Sequence, residues 1–410
     1  MNFFDVTVIG AGPAGIFAAL TCKKAGLSVA LFDKNKTLGR KILISGGGKC
    51  NVTQDEDMSD FINRFGGHAN FVKPALLNFT NEDFINYLNI NGIPTTVMEN
   101  HKVFPKSMKS TDVVNLLTQK VNQAGIQVFK STTVEQVKKE EAHFHLTTTA
   151  GTYSSRFLII TTGGTSFPAT GTTGDGHVFA KQLGHKIVPT NFALAPLFIK
   201  NFQLSDFSGL SFENLTYTHW RGGKKIGTYC GDMLITHKGV SGPGIINNTR
   251  YMVRDDVVKL NFVGTNDEEN RGTLTKLLQK NPKLTVKNAL TLPEIPKRLL
   301  EHFLMLVGID SQIKCAELSK IMRTQLLTLL TAYEMDIKSV GCVNSAMVTA
   351  GGVSLKDVNP KTMASRRVDG LYFAGEVLDV DGDTGGYNIQ FAVSSGILAG
   401  SDVGRRSRDD

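Results

Sequence analysis

Phe4-Asp-Val-Thr-Val-Ile9-Gly10-Ala-Gly12-Pro-Ala-Gly15 joins a short β-branched run to a glycine turn, and a helical pattern follows from Ala14 to Ala25. Strand, tight turn and helix in that order are the context a dinucleotide fingerprint needs. Gly10 permits the turn, Gly12 lets the backbone approach a pyrophosphate, and Gly15 lets helix and strand pack closely. The helix start adds amide donors and partial positive charge. A second strand, Ser28-Val-Ala-Leu-Phe32, ends in Asp33, at the spacing of a carboxylate that holds a ribose hydroxyl. The two strands and the helix complete a βαβ unit.

The other end of the chain carries a matching set. Leu371-Tyr-Phe-Ala-Gly375 reads as one more parallel strand ending in glycine, and Gly385-Gly386-Tyr387-Asn388 reads as a turn entering a helix. Such a turn aims a positive helix end at a ligand. Both ends of the polypeptide are therefore expected to bind one dinucleotide. Between them lies a third glycine-rich run, Gly39-Arg40-Lys41 through Ser45-Gly46-Gly47-Gly48-Lys49-Cys50-Asn51. Unshielded amides beside basic residues are suited to phosphates or a flavin edge. Thr162-Gly163-Gly164 closes a further β run and again allows close backbone approach.

At 410 residues the chain exceeds one ordinary core. The expected class is α/β, with a dinucleotide-binding Rossmann domain formed from both chain ends. Residues 1–190 form the first part of that domain, 191–264 a β-rich middle domain, 265–342 a helical subdomain and 343–410 its second part. From Thr132 to Thr162 the runs read as a three-stranded meander followed by a return to the parallel sheet. The leucine stripes after Thr265 are most simply helix-packing faces.

Composition narrows the function classes. No apolar run approaches the length that spans a bilayer, and no secretory leader pattern opens the chain, so a soluble cytoplasmic enzyme with no membrane partner is expected. The net charge of +8 is spread out, which argues against a nucleic-acid partner and for a small-molecule substrate. Five cysteines without metal or C-x-x-C spacing indicate free thiols, no metal site and no dithiol relay. Cys50 is the one thiol placed near the cofactor. His237, in a loop before Gly239-Val-Ser-Gly-Pro243, is the candidate for proton transfer. Asp379, Asp381 and Asp383 have an incomplete calcium-loop pattern and read as a solvated turn.

Gly39-Arg40-Lys41, Ser45-Gly-Gly-Gly48 and Cys50-Asn51 resemble the signature of the aminoacetone-oxidase family of FAD-binding proteins, which also takes in the bile-acid-pathway reductase BaiN. Gly375-Glu-Val-Leu-Asp379 and Gly385-Gly-Tyr-Asn388-Ile-Gln390 are similar to the family's C-terminal block. The resemblance implies a FAD-binding Rossmann domain of the glutathione-reductase type with inserted β-barrel-like and helical domains, in which Gly10, Gly12, Gly15, Arg40, Lys41, Ser45, Gly46, Gly47, Gly48, Gly164, Gly375, Glu376, Gly385, Gly386, Tyr387, Asn388 and Ile389 line FAD. The reading adds Ala14, Asp33, Lys34, Cys50, Asn51, Val134, Thr162, Gly163 and Asp379 as cofactor contacts. Tyr387 joins His237 as a catalytic candidate. Asp33 stands where many relatives carry glutamate, and the shorter acid still accepts from a ribose. Three activities follow as expectations: oxidation of a small amine such as aminoacetone with oxygen as acceptor, NAD(P)H-dependent reduction of an unsaturated substrate, and an RNA-binding or RNA-modifying flavoprotein. No second G-x-G-x-x-G lies in the middle domain, so NAD(P)H would act as a transient donor without a domain of its own.

Overall fold

The β-branched run Asn2–Ile9 (β1) is the centre of a seven-stranded sheet in the computed structural model, which describes residues 2–409. Helix Pro13–Lys24 (α1) follows, and Val29–Phe32 (β2) returns parallel to β1. On the far side of β2 lies Gln127–Phe129; on the far side of β1 lies Gly151–Ile160, which in turn carries Leu371–Phe373 near the C-terminus. The register sets the site. Ile9 lies opposite both Phe32 and Ile160, and Phe373 lies opposite Ile160. The carboxyl ends of four parallel strands are thus level, and the loops beginning at Gly10, Asp33, Thr161 and Ala374 leave one edge together. Beyond that edge is where open α/β sheets receive ligands.

The meander differs in one respect from its sequence reading. Its third strand and the return to the parallel sheet are a single strand, Gly151–Ile160, pairing antiparallel with His143–Thr148 in its first half and parallel with β1 along most of its length. The near-continuous burial of Tyr153 to Ile160 explains this, since a strand covered on both faces needs no polar break.

Leu194–Cys342 form a second compact unit, while the first joins residues up to Ala193 with those from Val343 onward. In the second unit six strands close a barrel: Leu197–Ile199, Gly239–Ser241, Lys224–Thr236, Ser211–Arg221, Val257–Asn261 and Tyr333–Val340. Helices from Asp267 to Thr331 interrupt the chain between the last two. Alternation of buried Tyr217 and His219 with partly exposed Thr218 and Trp220 is the period of a strand with one covered face. Inside, the His219 Nε2 lies 2.7 Å from Asp256, which also accepts two hydrogen bonds from Arg221. Arg221, the Val253 amide and His219 hold the Asp256 carboxyl down to about 2, although burial, the largest single influence, pushes the other way.

The C-terminal helix Tyr387–Asp409 returns to pack along α1. Gly396, Gly400 and Gly404, one turn apart, face Ala14, Ala18 with Thr21, and Ala25 respectively. Small residues at this spacing let two helix backbones approach closely, so the tail of the molecule is seated directly behind the Gly10–Gly15 turn.

Candidate functional site

Gly10 has φ +100°, and a β-carbon there would stand 2.6 Å from the Thr161 carbonyl oxygen. A β-carbon at Gly15 would stand 1.8 Å from the Gly10 carbonyl oxygen. Both glycines are therefore required by the turn itself. Gly12 is different: its backbone is extended, at φ −74° and ψ −177°, and a β-carbon would meet nothing within 4 Å. The fold leaves open space in front of Gly12. Beside it the first amides of α1, at Ala14 and Gly15, lack a carbonyl behind them as at every helix start, and no side chain caps them. An open cradle edged by amide donors fits a pyrophosphate.

Asp33 holds the same turn. Its Oδ2 accepts from the Ala11 amide at 2.7 Å and its Oδ1 from the Asn35 amide and side chain at 2.7 and 3.0 Å. A carboxylate offers about four acceptor positions, so one remains for a ribose hydroxyl. Lys34 pairs with Asp175, and exposed Arg40 donates to Asn35 at 3.4 Å. Val134 is buried at the start of its strand. Thr162 and Gly163, the latter at φ +75°, continue from the level strand ends.

Ser45 to Gly48 form a looped turn in which Gly46 and Gly47 are both left-handed, at φ 55° and 65°. Cys50 follows at φ 61°, fully buried. A β-carbon at Gly46 would stand 2.8 Å from the Asn51 amide nitrogen, whereas at Gly47 it would meet nothing. Burial pushes the Cys50 thiol up to about 11 and that of Cys22 up to about 12. Burial thus disfavours the thiolate, the reactive form, at both positions.

The tail contributes two turns. Gly375, at φ +74°, places its α-carbon where a β-carbon would stand 2.9 Å from that of Ala14. Gly385 and Gly386, at φ 134° and 93°, run against Gln54 and Thr53. Head, tail and the strand Thr53–Gln54 that follows the Ser45–Asn51 loop thus meet in one unit. Asn388 braces the tail by accepting from the Gly382 amide at 2.8 Å and donating to the Gly382 carbonyl at 3.0 Å. Ile389 packs partly buried on the core. Burial raises the Asp379 carboxyl above its usual range, with His68 and the Gly351 amide opposing. Asp381 is buried with His68 3.7 Å away, which replaces the expectation of a solvated turn. Among the described residues no cluster of His, Cys, Asp and Glu could hold a metal.

The two catalytic candidates fall in different units. Tyr387 is buried, donates from its hydroxyl to Glu56 at 2.6 Å and lies edge-on to Phe61 at 4.6 Å. Burial, then the bond to Glu56, pushes its phenol well above the usual value, so it keeps its proton. His237 is exposed in the turn between Lys224–Thr236 and Gly239–Ser241, in the barrel unit. The sequence reading did not single out Glu56, or Ser166 and Thr349 as a pair; no glycine or charge pattern marks them, because they are brought in only by tertiary contact.

Fold and cradle define a Rossmann-type FAD-binding oxidoreductase. The chain belongs to the HI0933-like family, whose Rossmann-domain description matches residues 4–402. It is 32% identical to a ribosomal RNA dihydrouridine synthase of Haemophilus influenzae, over 99% of this chain and 100% of that one. It is 27% identical to a 3-dehydro-bile acid delta(4,6)-reductase of Clostridium scindens, over 98% and 99%. The latter is in line with the resemblance carried by the glycine blocks. Among solved structures it is similar to the 3-ketosteroid delta1-dehydrogenase of Sterolibacterium denitrificans, with a TM-score of 0.53 and 11% identity, covering 99% of this chain and 100% of that one. That likeness concerns the fold. No helix among the described residues is long and apolar enough to cross a membrane.

Proposed function

We propose that this protein is a FAD-dependent reductase of a carbon–carbon double bond conjugated to a carbonyl group. The observation that carries the reading is that two full-length relatives with different names share this bond type: the uracil ring saturated in dihydrouridine and the delta(4,6) system of a 3-dehydro steroid. FAD held at this site would carry two electrons from a transient NAD(P)H donor and, once reduced, would supply hydride to the β-carbon of the conjugated bond, with a proton added at the α-carbon. The chain's part is to seat the cofactor through the Gly12 cradle, Asp33 and the tail turns, and to keep the buried thiols protonated and out of the electron path. Tyr387, committed to Glu56, holds the tail helix in place. His237 is the proton donor of this reading.

Anaerobic mixing tests the reaction. NADH or NADPH is expected to bleach the flavin absorbance, and a conjugated enone or a uridine-containing ribosomal RNA to restore it. Bleaching by aminoacetone with no response to either nicotinamide would replace this reading with amine oxidation. Recovery by RNA against recovery by a 3-oxo steroid decides the substrate class, and RNA recovery would reverse the expectation drawn from the dispersed charge.

His237→Ala is expected to retain FAD and its rate of bleaching by nicotinamide, while the recovery step slows by about a hundredfold, the usual range for a lost general acid. Stopped-flow traces separate the two half-reactions. An unchanged recovery rate would remove His237 from the mechanism.

A further inference from the structure

Lys41 and Glu376 were both expected to face the cofactor, but the side-chain geometry gives them to each other. Lys41 Nζ lies 2.7 and 3.0 Å from the two carboxylate oxygens of Glu376 and 2.8 Å from Ser166 Oγ. The two oxygens of one carboxylate lie too close in angle to take separate N–H bonds, so Glu376 shares one ammonium donor and Ser166 takes a second, which holds the Lys41 head group on this pair. Glu376 Oε1 in addition accepts from the Thr349 amide at 2.9 Å and from Ser166 Oγ at 3.1 Å. Thr349 Oγ1 accepts from the amides of Thr165 and Ser166 at 2.8 and 3.0 Å, and a β-carbon on Gly164 would stand 2.4 Å from that hydroxyl oxygen. Each partner comes from a different segment of the same unit: the Gly39–Lys41 turn, the loop after Ile160, the strand Val348–Val353 and the Gly375–Val377 turn.

We propose that Lys41 and Glu376, with Ser166 and Thr349, form a positioning clamp that fixes these four segments in their cofactor-receiving arrangement before FAD arrives, and that Lys41 is not a phosphate ligand. The inference rests on the FAD reading of this site. Lys41 and Glu376 are only partly buried, with side-chain exposures of 25% and 19%, so the pair is partly screened and its value lies in fixing geometry across segments far apart in sequence. Preorganised loops lose less freedom when a ligand binds, which raises affinity without a direct contact.

The two roles for Lys41 give opposite results on Glu376. As a phosphate ligand, Lys41 would be released by Glu376→Gln, and FAD would bind as well or better. As a clamp, Lys41→Met and Glu376→Gln should each raise the Kd for FAD by about tenfold, and the double variant should be no worse than the weaker single, because both remove one interaction. The Kd is read by flavin fluorescence on titrating apo-protein, alongside the Tm of each apo-protein. The exchange Lys41→Glu with Glu376→Lys should regain part of the lost affinity, since the ion pair returns while the Thr349 amide stays without its acceptor, and even a partial rescue is one that general loosening of the fold would not give. Ser166→Ala, a milder change, serves if a charged variant does not fold, and should weaken FAD by about threefold. Additive single effects, or Glu376→Gln binding FAD as tightly as the parent, would overturn the clamp. Parent apo-protein that takes up no FAD would overturn the cofactor reading and the clamp with it.

Discussion

Gly12→Val is expected to give a folded, monodisperse and colourless protein, with the Tm of the apo form unchanged. The substitution isolates ligand binding from folding because nothing occupies the space ahead of Gly12 and its extended backbone suits any residue. In the FAD complex that space belongs to the pyrophosphate, whose oxygens must reach the α1 amides directly. A valine side chain keeps them apart. Each charge-assisted hydrogen bond lost costs about 1.5–3 kcal/mol, so displacing two of them weakens FAD by roughly a hundredfold or more. Absorbance at the flavin bands after purification, and titration of the apo form, give the measurement. Flavin content equal to the parent's would show that the dinucleotide does not cross Gly12. Gly15→Val provides the contrast, since its side chain would enter the Gly10 carbonyl, and it should fail to fold with or without FAD.

That contrast also marks what the sequence could show. Gly10, Gly12 and Gly15 are equivalent in the motif, and their spacing, read with the β-branched runs on either side and the helical pattern between them, disclosed the βαβ unit, the helix start and Asp33. Only the coordinates separate the glycines demanded by the turn from the one left open for a ligand. The parallel strand Leu371–Phe373 and the helix from Tyr387 were legible because glycine turns bound them, as was the β-rich stretch that closes into a barrel. The charges were less legible. Arg40, Lys41, Glu376 and Tyr387 look alike as polar residues near a cofactor, yet Lys41 is spent on Glu376, and Tyr387 on Glu56, residues 335 and 331 positions away in sequence. Side-chain partners at such separations leave no period or spacing to read. Thr349 shows the same limit: a single threonine in an apolar strand became a node because the loop after Ile160 folds over it.

Gly396→Val should be the most damaging change far from any ligand contact. Gly396 lies in the C-terminal helix against α1, where a β-carbon would stand 2.2 Å from the Ala14 carbonyl oxygen. That atom belongs to helix backbone and cannot rotate aside, so the two helices must separate along the stripe that continues through Gly400 and Gly404. Overpacking of this kind costs about 1–3 kcal/mol, and more where backbone must move. An apo-protein loss of roughly 3 kcal/mol, or a fall in Tm on the order of 5 °C, is the expected result. The displacement also carries the Gly375 turn away from Ala14, because the Gly375 amide is held by Ser395 of the same helix at 3.0 Å. FAD should therefore bind more weakly even in the fraction that remains folded, coupling stability to cofactor retention in a way Gly12→Val does not. Thermal melts of apo and FAD-saturated protein measure both at once. A variant with the parent's apo Tm would mean that the tail helix is not seated on α1 as described, and the meeting of head and tail around one cofactor would fail with it.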